Sequence, residues 1–188
     1  MPYPAQVNRQ HIIRQAREMI EADGAARLSL AGLAAALGIK APSLYRHVGN
    51  KASLLRAVNL LTTEQLFAAM NGAAETAVSD PHTRLLAIFH AFRRFAHDNP
   101  NSYQLMMVNR EDALRPDEDL LVQMVLPIQT YMAEICGEAN SLAALRGALA
   151  LVHGFAMLEL NQQLRRGGDL DAAFTQSVTA YLKGWQQS

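Results

Sequence analysis

The 188-residue sequence predicts an all-α protein of about nine helices. Apolar residues recur every three or four positions along most of the chain, as one face of a helix requires. Ala, Leu, Gln, Glu and Arg are plentiful, whereas aromatic residues make up only 6% of the chain, a balance that favours helix over strand. Breaks between the periodic stretches fall at glycine, proline or short polar residues suited to helix ends.

The first helix is expected over 8–23, with Ile12, Ile13, Ala16, Met19 and Ile20 on one face and Gly24 at its end. Ser29 can cap a second helix whose inner face is Leu30, Leu33, Ala34 and Leu37, and Gly38 stops it. Pro42 opens a short third helix, 42–48, with Leu44 and Val48 inward and Gly49 after it. Asn50 caps a fourth, running to about Gly72, with Leu54, Leu55, Val58 and Leu61 inside. Asp80-Pro81 opens a fifth helix that carries Leu85, Leu86, Phe89, Phe92 and Phe95 as far as Pro100. A short piece over 102–108 and a polar loop over 109–116 follow.

Asp117, Glu118 and Asp119 suit the positive end of a helix dipole, so a helix is expected from there to about Cys136, kinked at Pro127. Ser141 is the expected cap of a long apolar helix ending at Arg166, before Gly167-Gly168. The last helix shows Phe174, Val178, Tyr181, Leu182 and Trp185 on one stripe.

The formal net charge is zero, but its distribution is uneven. Residues 1–60 carry eight basic and three acidic side chains, a balance of +5, and the remainder balances at −5. A basic head on an acidic body suits a protein in which only the head meets phosphates. Cys136 is the one cysteine, so an internal disulfide is excluded. The N-terminus lacks the apolar core of a signal peptide, and no apolar run is expected to span a bilayer. A cytoplasmic protein with no membrane partner is the expectation.

The segment from Ser29 to Leu55 holds the most information. Two short helices meet across a tight glycine turn, and the second is too short to persist alone. Ser43, Tyr45, Arg46 and His47 crowd hydrogen-bonding and cationic groups into little more than one turn. Such a helix can enter the major groove of DNA with its N-terminal residues at base edges.

This segment resembles the TetR (tetracycline repressor) family of transcriptional regulators. The matching residues are Leu37-Gly38-Ile39, Ser43-Leu44-Tyr45-Arg46-His47-Val48 and Asn50-Lys51 with Leu54-Leu55, supported by Gly24, Ser29, Leu33 and Ala34. Val152-His153-Gly154-Phe155, followed by Leu158-Glu159, resembles the WHG-type ligand-domain subgroup of that family. The resemblance implies a helix-turn-helix DNA-binding domain, 1–55, and a helical effector-binding and dimerisation domain, 56–188. It implies a homodimer that binds a pseudo-palindromic operator in double-stranded DNA and releases it when a small molecule binds behind.

Roles carry over by position. Ser29 is expected at a phosphate; Ala41, Pro42 and Ser43 lie where base edges or a thymine methyl are met; Arg46 suits guanine O6 and N7. Tyr45, His47 and Lys51 are expected to hold phosphates, although the Tyr45 ring suits a packed position equally well. Relatives often carry a small capping residue where Lys40 stands. A lysine cannot accept a hydrogen bond from a helix N–H, so Lys40 becomes a further phosphate candidate.

The resemblance implies an effector pocket among large apolar groups, for which Phe89, Phe92, Tyr103, Met106, Met124, Tyr131, Phe155 and Glu159 are the candidates. The absence of a charge cluster predicts a mostly apolar effector. Plain core packing is the competing reading for the apolar members, and pairing with Arg or His is the competing reading for Glu159. Dimerisation is expected through one stripe of Leu142, Leu145, Leu149 and Val152 and another of Phe174, Val178, Tyr181 and Trp185. These stripes can equally face their own core. The histidines are scattered, and no phosphate loop, zinc signature or nucleophile elbow is present, so neither enzyme, metal nor cofactor is expected.

Overall fold

Side-chain oxygens at chain turns set the starts of the helices. In the computed structural model, which describes residues 8–77, 80–108 and 111–186, Asn8 accepts a hydrogen bond from the His11 N–H at 2.8 Å and opens α1, Arg9–Asp23. Ser29 Oγ accepts from Gly32 N–H at 3.0 Å and opens α2, Leu30–Ala36. α3, Ala41–Val48, begins without a side-chain cap at Lys40 and has Pro42 in its first turn. Asn50 accepts from Ser53 N–H at 2.8 Å at the head of α4, Lys51–Thr76, and Asp80 from Thr83 N–H at 3.0 Å at the head of α5, Pro81–Asp98. α6 spans Pro100–Val108, α7 Glu118–Cys136 and α8 Glu138–Leu160. Asp169 caps α9, Leu170–Trp185. Each local cap satisfies an N–H that the helix itself leaves unpaired. The described residues therefore form nine α-helices and no strand.

Several boundaries differ from those read off the sequence. α4 runs through Gly72 to Thr76, and α6 starts at Pro100, where a proline's missing N–H costs nothing. The 109–116 segment contains a 3-10 turn, Asp112–Leu114; residues 109 and 110 lie outside the described set. α8 begins at Glu138, because Gly137 adopts φ +77° and turns the chain sharply after α7. Ser141 is thus inside α8 and buried, donating to the Glu138 carbonyl at 2.9 Å and accepting from Gln129 at 3.1 Å. α8 also stops at Leu160 rather than Arg166, where the Asn161 amide turns back to the Met157 carbonyl at 2.7 Å and Gln162 takes φ +53°.

The packing gives two compact units, whereas the sequence suggested a single cut after residue 55. The first unit comprises Met1–Gln65 and Asn99–Asp117; the second comprises Leu66–Asp98 and Glu118–Ser188.

The first unit buries Ile12, Ala16, Ile20, Leu33, Leu44, Leu54 and Val58 in one core. α6 closes against α1 through polar contacts. The Glu21 carboxylate accepts from the backbone N–H groups of Asn101 and Ser102 at 3.0 Å each, so a side chain from α1 caps α6. The Asn101 amide returns a bond to the Glu21 carbonyl at 2.8 Å. Buried Asn59 donates to the Leu114 carbonyl at 2.8 Å and fixes the turn that precedes α7.

The second unit packs α5, α7, α8 and α9 around Leu85, Ile88, Ile128, Met132, Ala148, Phe174 and Val178. Cys136 is fully buried there, and burial pushes its thiol above the ordinary range. By length and composition α8 could cross a bilayer, with a mean hydropathy of 1.5 over its most apolar window, contrary to the sequence expectation. It packs instead against α5, α7 and α9.

α5, α8 and α9 are also tied by charge. Arg93 forks onto Glu159 with contacts of 2.6 and 2.7 Å and donates to Asp171 at 2.6 Å. His97 Nε2 lies 3.0 Å from the same Glu159 carboxylate. The fork geometry is the strong form of an ion pair.

Candidate nucleic-acid interface and interior cavity

The turn between α2 and α3 is held by backbone bonds from Gly38 N–H to Ala35 and from Ile39 N–H to Ala34, at 3.1 and 3.0 Å. Leu44 and Val48, four residues apart, are 0% and 6% exposed and anchor α3 to the core. That anchoring forces the rest of α3 outward. Ala41, Pro42, Tyr45, Arg46 and His47 are exposed, as is Lys40 just ahead of the helix, and Ser43 is half-buried. Tyr45 is 49% exposed, which settles its ring as a surface group rather than a packed one. Lys51 is half-buried at the start of α4.

Among the described residues, Lys40, Arg46 and Lys51 enter no ion pair. Their charges are uncompensated and available to phosphates or base edges. Ser29 is exposed, but its oxygen already accepts the α2 cap bond. Its hydroxyl proton remains the group that could reach a phosphate. The structure places the nine sequence-predicted DNA-contacting residues in one small unit, eight of them on α3 or just beside it and Ser29 at the head of α2.

The effector candidates do not stay together. Phe89 and Phe92 line an apolar cavity of about 180 Å³ in the second unit. Its other walls are Leu66, Phe67 and Met70 of α4, Val125 and Ile128 of α7, and Leu142, Leu145, Arg146, Leu149 and Val152 of α8. Tyr103 and Met106 belong to the first unit, where Tyr103 is fully buried and its phenol pKa is raised by burial. Met124 is half-buried on α7 outside the cavity lining. Tyr131 carries the Arg84 guanidinium 4.7 Å above its ring. Phe155 meets Phe174 edge-on at 5.2 Å. Glu159 is taken by Arg93 and His97, so its carboxylate is a structural partner rather than a free acceptor. Burial acts to raise its pKa, but the hydrogen bonds from Arg93 and His97 outweigh that and hold it below the ordinary carboxylate range.

The two proposed dimer stripes are also divided. Leu142, Leu145, Leu149 and Val152 all line the cavity. Phe174 and Val178 are fully buried within the single chain, so they have no surface left for a mate. Tyr181 and Trp185 are half-buried, their rings 6.4 Å apart. Sequence reading missed the α4 wall and Arg146. The α8 spacing 142, 145, 149, 152 was visible, but a stripe gives no sign of which hollow it faces. Among the described residues no three His, Cys, Asp or Glu side chains gather to hold a metal.

Two family models match the chain: bacterial regulatory proteins of the tetR family over residues 12–58, and the tetracyclin repressor-like C-terminal domain over residues 85–181. The protein belongs to the TetR family of transcriptional regulators. An HTH-type transcriptional regulator, YobS, of Bacillus subtilis is 25% identical over 92% of this chain and 90% of its own. A Rhodococcus sp. RHA1 structure of unknown function superposes with a TM-score of 0.80 and 26% identity, covering all of both chains. A TetR variant from Acinetobacter baumannii AYE, solved in complex with minocycline, shares the fold at a TM-score of 0.70 and 20% identity, covering 95% of this chain and 96% of that one. The matched descriptions speak to the family and leave the WHG-type resemblance of Val152–Phe155 an expectation.

Proposed function

We propose that this regulator is a cytoplasmic repressor that grips a pseudo-palindromic operator as a homodimer and releases it when a small, mostly apolar molecule enters the second unit. The observation that carries the DNA half is the division of α3: Leu44 and Val48 inside, Tyr45, Arg46 and His47 outside, with Arg46 in no ion pair among the described residues. Two such helices related by a twofold axis would read major grooves one turn apart.

The effector half rests on the cavity. α4 is one continuous helix that gives Leu54 and Val58 to the first core and Leu66, Phe67 and Met70 to the cavity wall. Occupancy that moves this wall acts on the helix that follows Gly49-Asn50 from α3. A ligand that binds a form whose two α3 helices no longer match the major grooves better than the DNA-bound form shifts the population by the difference in affinity. A TetR variant of the same fold, solved in complex with minocycline, is consistent with a small-molecule effector.

For dimerisation we assign the outer side of α8 and α9. Ala143, Ala150 and Leu158 on α8 and Ala180 and Gly184 on α9 are exposed and mostly small, so two helix pairs can approach closely into a four-helix bundle. Footprinting of DNA flanking the protein's own coding region tests the reading: a protected pseudo-palindrome, lost on adding effector, is expected. Equal protection of random DNA at physiological salt would sink it.

A further inference from the structure

The cavity wall holds one charged residue, and among the described residues it enters no ion pair. Eleven of the twelve lining residues are apolar; the twelfth is Arg146. It stands on α8 between Leu142 and Leu149, which are 44% and 46% exposed, and is itself exposed. These three residues form the lip where the cavity meets solvent. Among the described residues Arg146 enters no ion pair. Two other arginines of the same unit behave differently: Arg93 is neutralised by Glu159 and Asp171, and Arg84 lies 3.7 Å from Glu134.

We infer that the ligand of this cavity is an amphipathic monoanion, a carboxylate on a short alkyl chain or single ring, with its apolar body inside and its carboxylate on Arg146. This rests on the effector reading above and specifies its chemistry. The volume, about 180 Å³, is close to that of the roughly 150 Å³ apolar cavities known to admit benzene. A body of that size fills the interior, and the absence of any other charged wall residue leaves the lip as the place for a polar head. An arginine fork takes a carboxylate with two parallel bonds, which orients the ligand as well as holding it. A neutral hydroxyl could accept only one weaker bond from Arg146, and a cation would be repelled.

Calorimetric titration of the full chain with octanoate and with n-octanol tests this. Octanoate is expected to bind saturably, and octanol roughly ten-fold or more weaker, the size of one lost charge-assisted contact. R146Q should weaken octanoate by a similar factor and octanol far less, because glutamine still donates a hydrogen bond to a hydroxyl. Retained octanol binding also reports that the variant is folded. Equal binding of the two compounds, no octanoate binding, or an R146Q variant indistinguishable from the parent overturns the inference. The same titration against the footprinted DNA separates the two readings. Arg146-dependent octanoate binding that leaves DNA bound would defeat effector release and spare the ligand class. DNA release by octanol but not octanoate would do the reverse.

Discussion

The Tyr181 hydroxyl donates to the Ala144 carbonyl at 2.6 Å, and its ring lies over Gly147, one turn further along α8. A Cβ at position 147 would collide with that hydroxyl and touch the ring. Gly147→Ala should therefore cost about 1–3 kcal/mol despite the better helix propensity of alanine. Tyr181→Phe alone should cost about 1 kcal/mol for the lost hydrogen bond. Urea unfolding of the double variant should show a penalty smaller than the sum, because removing the hydroxyl makes room for the methyl. Strict additivity would mean that the two sites do not press on each other.

Glu21 and the head of α6 give a second test. Its carboxylate accepts from two α6 N–H groups, those of Asn101 and Ser102. Glu21→Ala should destabilise the protein by about 1–2 kcal/mol, as loss of a charged cap does. Amide hydrogen exchange should quicken first at Asn101 and Ser102. Unchanged exchange there would show that α6 is capped some other way.

Acid should weaken the second unit through its histidines. Burial, and for His90 also Arg93 and Arg94, pushes the pKa of His90 and His153 below the ordinary imidazole value. The unfolded chain then binds protons that the folded chain refuses, so this part of the stability is present above about pH 6.5 and declines as pH falls through that region. The depressed Glu159 carboxyl adds a further loss at lower pH, once it takes up a proton and its pair with Arg93 weakens. Urea midpoints from pH 8 down to pH 5 should be flat and then fall. His153→Gln should make the fall shallower. A midpoint that rises on acidification would contradict the signs assigned here.

At the DNA face, Arg46 and Lys51 should separate. Arg46→Ala is expected to lose about 1–3 kcal/mol of discrimination between the operator and a scrambled duplex. Lys51→Ala should weaken both duplexes alike and lower the slope of log affinity against log salt by about 1. Fluorescence anisotropy over a salt series distinguishes the outcomes. Identical behaviour of the two variants would remove the base-reading role from Arg46.

What the sequence disclosed was local. Asn50, Asp80 and Ser29 cap the helices that their positions announce, because a cap and its N–H lie only three residues apart. Leu44 and Val48 announced the inner side of α3 by their spacing alone. Contacts between distant segments left no such trace: Glu21 reaches residues 80 and 81 positions further on. The end of α8 was also hidden. Asn161, Gln162 and Gln163 interrupt no apolar pattern strongly enough to mark a stop, and the backbone turn at Gln162 decides it. The effector candidates failed to converge for a similar reason. Large apolar side chains crowd both units, and only three dimensions reveal that Phe89 and Phe92 share a hollow with Leu142 and Leu149, whereas Tyr103 does not.

The first unit is assembled from two stretches of chain, Met1–Gln65 and Asn99–Asp117. No single scission can release it whole. A fragment ended anywhere before Asn99 would lack the Asn101 and Leu114 partners of Glu21 and Asn59. Shuffling this reading head onto a foreign body, as modular proteins permit, would therefore require grafting both stretches in register, and a graft of the first alone should emerge as a frayed and weakly cooperative piece.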